Sequence, residues 1–314
     1  MRRVFSPLAA VLLTLTAALT SLAGCATGNP GRPAPAAQPG ANPKVAVVAA
    51  ENFWGSIAAQ VGGERVSVHS IISNPNADPH DYEPTPADGR TVANAQYVIA
   101  NGAGYDPWVG RLLEANPAPS RLVLTVAELV GVKQGGNPHR WYSPRDVHRV
   151  IQQITTDYKR IDPAGSTYFD QQRQAFESVG MARYDQLIAG IRAKYAGTAI
   201  GASESIVTPL AEELGLKVLT PESFLDAISA GAPPTVADKS TADQQIRTKQ
   251  IKVFVFNRQN ATPDVMALVT QAKMVGIPVT TVTETPVPAT ASFQDWQVGQ
   301  LVALEQALSS AAAR

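Results

Sequence analysis

The chain has 314 residues, with 26 basic and 26 acidic side chains and a formal net charge of zero. That length fills two ordinary domains, and a balanced charge without a basic stripe gives nucleic acid nothing to bind electrostatically. The single cysteine, Cys25, excludes an internal disulfide framework.

Arg2 and Arg3 precede a stretch at 11–23 rich in Leu, Ala, Val and Thr. This is a charged n-region followed by an apolar segment too short and too Thr-interrupted for a membrane span. It ends in Leu22-Ala23-Gly24-Cys25, which resembles a bacterial lipobox. Residues 1–24 are therefore expected to be a lipoprotein signal peptide, with Cys25 lipidated as the mature N-terminus. Buried methylenes contribute about 0.8 kcal/mol each, so two or more acyl chains anchor a protein stably. From 26 to 43 the chain is mainly Pro, Gly, Ala and Asn, too poor in apolar bulk to fold. We read 25–43 as a flexible tether, able to reach roughly 55 Å when extended at ~3.1 Å per residue.

The folded body starts at residue 44. Apolar β-type runs at 45–49, 66–72, 97–100 and 122–124 alternate with helical stretches at 53–61, 87–95 and 107–114. Such alternation predicts a parallel sheet covered on both faces, and assigns 44–161 to an N-terminal lobe. A helix is expected at 144–160, and another at 167–195, about eight turns long at 3.6 residues per turn. In the second, Phe169, Phe176, Val179, Tyr184, Leu187, Ile191 and Tyr195 recur at spacings compatible with one apolar face. Its length suits a spine, so 162–197 is read as a linking helix. A second alternating set fills 198–314, with strands at 199–202, 217–219, 253–256 and 279–282. Its helices fall at 206–214, 238–248, 263–274 and 296–311. The expected fold is α/β: two lobes, each a mostly parallel sheet flanked by helices, joined by a long spine helix.

Two of the four histidines sit in similar phrases, Asp78-Pro79-His80-Asp81 and Asn137-Pro138-His139-Arg140. Proline fixes its own φ and pushes the preceding residue toward extended backbone, so each phrase describes a stiff, non-helical corner. Both follow predicted strands, where open α/β sheets place their ligands. Read alone, these histidines fit metal ligands and surface hydrogen-bonding groups equally well. His69, inside a predicted strand, and His148, inside a predicted helix, read as structural or solvent-facing. No phosphate-binding Gly-Lys-Ser/Thr loop, Gly-x-Ser-x-Gly elbow or Gly-x-Gly-x-x-Gly turn is present.

The arrangement resembles the solute-binding receptors of bacterial zinc/manganese ABC transporters, from the lipobox to the last helix. The phrases that carry the resemblance are Asp78-Pro79-His80-Asp81-Tyr82-Glu83-Pro84, Asn101-Gly102-Ala103-Gly104-Tyr105-Asp106-Pro107-Trp108 and Asn137-Pro138-His139-Arg140-Trp141. It implies metal ligands at His80 and His139, a third at Glu204 after the first strand of the C-terminal lobe, and a fourth at Glu284 after the last strand. The fourth place is usually Asp in such receptors; Glu is one methylene longer. Taken without the resemblance, Glu204 and Glu284 read by default as loop carboxylates that cap a helix or face water, and Glu204 sits just before a helical run. Trp141 is read as packing around the ligand loops, and Asn257 and Gln259 as hydrogen-bonding groups near the site.

Two neutral imidazoles and two carboxylates carry charge −2, which cancels a divalent cation and avoids burying net charge. Nitrogen and carboxylate donors suit Zn2+ and Mn2+ about equally here, while the absence of thiolate argues against Cu(I) and iron–sulfur chemistry. Four protein ligands leave no open position for an activated water, which favours a carrier over an enzyme. The implied protein is a monomer anchored by lipid on the extracytoplasmic face of the cell membrane, passing its ion to an ABC permease and its ATPase. A surface adhesin on the same scaffold and a metal-dependent hydrolase are the rival readings.

Overall fold

The computed structural model describes residues 43–75, 77, 80 and 82–313. The segment expected to be a signal peptide, Cys25 and nearly all of the expected tether lie outside the described residues, as do Asp78, Pro79 and Asp81 of the first histidine phrase. Among the described residues no helix is long and apolar enough to cross a membrane.

The first half alternates as the sequence predicts: β1 (Val45–Glu51), α1 (Asn52–Gly62), β2 (Val66–Ile72), α2 (Pro86–Ala93), β3 (Tyr97–Ala100), α3 (Pro107–Ala115), β4 (Leu122–Thr125) and α4 (Val126–Val130). The strands are parallel, in the order β2-β1-β3-β4. Central β1 and β3 are apolar on both faces because helices cover both faces. Local chemistry sets the helix starts. Thr85 and Asp88 form a reciprocal capping box at α2, whose first residue is Pro86. Ser143 caps α5 (Pro144–Ile161) by accepting from the Asp146 N–H.

The second half holds β5 (Ala199–Ala202), α8 (Thr208–Leu214), β6 (Lys217–Val218), α9 (Glu222–Ser229), α10 (Val236–Arg247), β7 (Val253–Asn257), α11 (Pro263–Met274), β8 (Val279–Val282) and α12 (Phe293–Ala312), after α6 (Ser166–Ala175) and α7 (Ala182–Tyr195). Its strands are again parallel, ordered β6-β5-β7-β8. The α/β class with two parallel sheets is as expected. In each sheet the chain leaves the first strand in one direction and later continues on its other side. That reversal opens a crevice at the carboxyl ends of β1 and β3, and another at β5 and β7.

The spine departs from expectation. The single helix read over 167–195 is interrupted by a π turn at Phe176–Gly180, between α6 and α7. A π turn spends an extra residue on one turn, so the faces beyond it rotate. Met181 becomes fully buried, whereas Val179, expected on the apolar face, is 77% exposed. Phe169, Phe176, Tyr184, Leu187 and Ile191 are buried as the pattern required. Gly180 permits the turn, since an added Cβ would lie 2.8 Å from the Phe176 ring. Helices α4 and α9 were not foreseen, and α12 starts at Phe293 because Ser292 caps it.

One apolar core runs through both halves, joining Val47, Phe53, Trp141 and Ile151 to Ile200, Phe254, Trp296 and Leu304. Polar ties reinforce it: the Gln60 and Gln294 side-chain amides bond each other at 3.0 and 2.7 Å, and the Phe293 N–H donates to Ser56 Oγ at 2.9 Å.

His69 is exposed on β2. His148, on α5, instead meets Asp185 of α7, with 3.0 Å between Nε2 and Oδ1. The Asp185 hydrogen bond raises the His148 pKa, burial opposes it, and the Asp185 and Glu177 charges add to the rise. A histidine whose folded pKa is raised stabilises the fold most below its unfolded value of about 6.5. That contribution fades as pH climbs through the folded pKa. Urea unfolding of wild type and His148→Ala should therefore differ most near pH 5.5 and least near pH 8.5; a gap that widens with pH would contradict the pairing.

Candidate metal centre

All four candidate ligands follow carboxyl ends of strands or the loops that extend them. His80 lies between β2 and α2, His139 between α4 and α5, Glu204 just after β5 and Glu284 just after β8. Parallel strands aim these ends the same way within each sheet, so residues far apart in sequence meet. His80, Glu204 and Glu284 line one cavity of about 480 Å³. His139 reaches the same place from the buried side: it is 1% exposed, and its Nε2 stands 3.6 Å from Glu284 Oε1.

The orientation of His139 is set by Asn137. The Asn137 Nδ2 donates to the Ser205 carbonyl at 2.8 Å, which fixes the amide and turns Oδ1 toward the histidine. Oδ1 then accepts from the His139 backbone N–H at 3.0 Å and from Nδ1 at 2.8 Å. With Nδ1 held as the donor, Nε2 is the atom left to face Glu284. Protonated, it donates to the carboxylate; bare, it offers a lone pair to a cation. Asn137→Ala removes this orientation and leaves the Ser205 carbonyl without its donor. Partners that orient a ligating histidine are typically worth about 10–100-fold in metal affinity, and a loss of that size is expected in metal titration of the variant.

Tyr105 links the two histidines. Its ring meets His80 edge-on at 4.8 Å between centroids and His139 at 6.0 Å, and its hydroxyl donates to Glu284 Oε2 at 3.0 Å. Glu284 Oε1 accepts from Asn257 Nδ2 at 3.0 Å. Burial pushes the Glu284 carboxyl up, but the His139 charge and hydrogen bond, the Tyr105 hydroxyl and the His80 charge outweigh it and hold the pKa below the usual value.

Glu204 has the opposite setting. It is 1% exposed; Oε2 accepts from Asn260 Nδ2 at 2.9 Å, while Oε1 is buried with no hydrogen-bond partner. Burial first, then the Glu284 charge, pushes its carboxyl up. The helix-cap alternative fails, because Glu204 precedes a 3-10 turn at Ser205–Val207 without any side-chain capping bond. An unpaired, buried carboxylate oxygen on a residue that lines the cavity is costly unless something binds it.

Gln259 spans the cavity wall. Its Oε1 accepts from the Thr285 N–H at 3.1 Å, and its Nε2 donates to Thr285 Oγ1 and to the Pro75 carbonyl, tying the loop after β8 to the loop that carries His80. Trp141 is fully buried beside His139, 5.2 Å between ring centroids, and stacks on Phe53 at 4.2 Å. Among the described residues, no three His, Cys, Asp or Glu side chains are grouped closely enough to hold an ion as they stand.

Tyr105, Asn137 and Asn260 were not singled out from the sequence as site residues. Tyr105 and Asn137 lie inside the phrases that carried the resemblance, which was a usable signal. Asn260 stands one residue from Gln259, and nothing in sequence alone separates it from any loop asparagine. Glu51 is a further surprise: it ends β1 fully buried with both carboxyl oxygens unpaired, and burial, then the Asp106 charge, push its pKa well above the ordinary value.

Two parallel α/β halves, with candidate histidines and carboxylates in the loops beyond the strand ends, define the class of fold. The sequence profile of the family described as zinc-uptake complex component A, periplasmic (ZnuA), matches residues 47–307, and the chain belongs to that family. Relatives include the iron-binding protein YfeA of Yersinia pestis, 30% identical over 176 residues, 54% of this chain and 54% of that protein. Another is the manganese-binding lipoprotein MntA of Halalkalibacterium halodurans, 28% identical over 137 residues, 41% of this chain and 44% of that protein. The chain thus spans about half the length of the curated relatives it matches. A manganese-bound variant of a periplasmic metal-binding protein from Candidatus Liberibacter asiaticus superposes with a TM-score of 0.71 at 18% identity, over 83% of this chain and 98% of that one. FpvC of P. aeruginosa in complex with Ni2+ gives a TM-score of 0.68 at 17% identity, over 85% and 97%. At such identities the likeness is one of fold.

Proposed function

We propose that this protein captures a divalent transition metal, Zn2+ or Mn2+, outside the cytoplasm and delivers it to an ABC permease and its ATPase. The ion is cargo, held by His80, His139, Glu204 and Glu284. The observation that carries this reading is the meeting of His139 Nε2 and Glu284 Oε1 at 3.6 Å, with Glu284 sharing a cavity wall with Glu204, whose Oε1 is unpaired. Family membership and the metal-binding names of the relatives support it.

The donor set fits such an ion. Two imidazole nitrogens and two carboxylates suit Zn2+ or Mn2+ and neutralise its charge. On this reading the ion draws His80 and the two carboxylates inward from their present spacing, and Glu204 Oε1 gains the partner it lacks. Four protein ligands complete a tetrahedral shell and leave no water to activate, so the protein carries the ion and does no chemistry on it. We further propose that Cys25 is lipidated and that 25–43 tethers the receptor to the membrane as a monomer.

Protein purified without chelators should carry close to one equivalent of Zn2+ or Mn2+ by mass spectrometry, and competition between the two ions ranks them. Protein that arrives metal-free and takes up neither ion on dialysis would end the proposal.

A further inference from the structure

A neutral imidazole gives an ion one nitrogen, whereas a carboxylate gives one oxygen or two, and its hydrogen bonds restrict the choice. Asn260 Nδ2 donates to Glu204 Oε2 at 2.9 Å and to the Ile228 carbonyl at 3.2 Å. Both partners are acceptors, so the atom between them is the amide nitrogen, and α9, which carries Ile228, holds that amide in place. Glu204 thus has Oε2 committed and Oε1 uncommitted.

Glu284 is engaged at both oxygens. Tyr105 donates to Oε2 and Asn257 Nδ2 to Oε1, each at 3.0 Å. Asn257 is itself fixed: it is fully buried at the end of β7, its backbone N–H donates to Ser203 Oγ at 2.9 Å, and its Oδ1 accepts from the Gln259 N–H at 2.9 Å. That leaves Nδ2 turned toward Glu284. A carboxylate that chelates must give both oxygens to the ion. Glu204 could do so only by sharing Oε2 with Asn260, and Glu284 only by sharing each oxygen with a donor already in place. One oxygen from each glutamate and one nitrogen from each histidine make the four-coordinate shell typical of Zn2+. The octahedral shells that suit Mn2+ need six donors, which these side chains supply only when both glutamates chelate.

We propose that Asn260 and Asn257 determine which metal the site prefers, holding Glu204 and Glu284 as one-oxygen ligands and so favouring four-coordinate Zn2+ over Mn2+. This deepens the metal-binding reading above and rests on it. Both asparagines are positioning residues that act through the carboxylates. Nitrogen and oxygen sites bind Zn2+ more tightly than Mn2+ by intrinsic affinity, so their contribution is the excess of that preference, and it disappears when a carboxylate oxygen is released.

Co2+ is the probe for coordination number, because its visible absorption is intense in a tetrahedral site and weak in an octahedral one. Wild type loaded with Co2+ should give the intense spectrum. Asn260→Ala releases Glu204 Oε2; its Co2+ absorption should weaken, and its ratio of Zn2+ to Mn2+ affinity in competitive titration should fall about tenfold or more. A merely structural role would weaken both ions alike and leave the Co2+ intensity unchanged, and that result overturns the proposal. A weak, octahedral Co2+ spectrum from wild type overturns it without any variant, so the test stands even if Asn260→Ala does not fold. In both cases the metal-binding reading survives. If wild type binds none of Zn2+, Mn2+ and Co2+, both fall.

Discussion

Saturating Zn2+ or Mn2+ should raise the melting temperature of the wild-type protein and leave His139→Ala unmoved. A ligand at a hundred times its dissociation constant stabilises the native state by about 2.7 kcal/mol, which for a body of this size is a rise of roughly 5–11 °C. His139 is the decisive position because it is as deeply buried as Glu204, at 1% exposure, and its Nε2 stands in ion-pair range of Glu284. Its removal deletes a ligand, frees Glu284 from the charge that holds its pKa down, and strands the Asn137 amide that oriented it. His69→Ala, altering an exposed residue of β2, is the control and should keep the full rise. A His139→Ala protein that still melts higher with metal would remove this residue from the ligand set.

The second large effect concerns the wall behind the site. Trp141→Ala should cost about 3–5 kcal/mol of stability, the usual range for deleting a buried large aromatic side chain, or roughly 6–20 °C in melting temperature. Trp141 is enclosed by Phe53, Tyr105, His139 and Tyr142, with ring centroids between 4.2 and 6.2 Å away. It backs His139 directly, so the cavity left by alanine also loosens the imidazole. Trp141→Phe should cost much less. The indole Nε1 is buried without a hydrogen-bond partner, and phenylalanine removes that unpaired donor while keeping a ring for Phe53 to stack on. Urea unfolding of both variants separates packing from polarity: equal losses would mean that the indole N–H has a partner after all.

The contrast between Glu204 and Glu284 shows how position divides identical side chains. Both are glutamates just beyond a strand end. Glu284 receives a tyrosine hydroxyl, an asparagine amide and a histidine, and is held ionised. Glu204 receives one asparagine amide and faces the Glu284 charge from a buried place, and its pKa rises. A divalent cation between them would satisfy both at once, since it supplies positive charge where one carboxylate already has partners and the other has too few.

Much of the scaffold could be read without coordinates. Strand runs such as 97–100 and 253–256 are short, β-branched or aromatic and bounded by turn-formers, and alternation with helices permits few topologies. The prolines before His80 and His139 marked stiff corners at strand ends, which identified two candidate donors. The spine was less legible: a period of 3.6 fits both sides of the π turn at Phe176–Gly180 but not the turn itself, so Val179 was placed on the wrong face and Met181 was passed over.

Amino-acid order by itself determined the α/β class, the paired histidine corners and the residue types suited to a divalent ion, because these depend on local periodicity, backbone restriction and donor chemistry. Only the tertiary structure decided which groups meet. That Asn137 bridges His139 and the Ser205 carbonyl, that Tyr105 touches both imidazoles and Glu284, and that His80, Glu204 and Glu284 line one cavity depend on two parallel sheets presenting their carboxyl ends together. Contacts such as Asn137 to Ser205 and Tyr105 to Glu284, 68 and 179 positions apart, are fixed by packing of the whole core, and no window of local sequence contains that information.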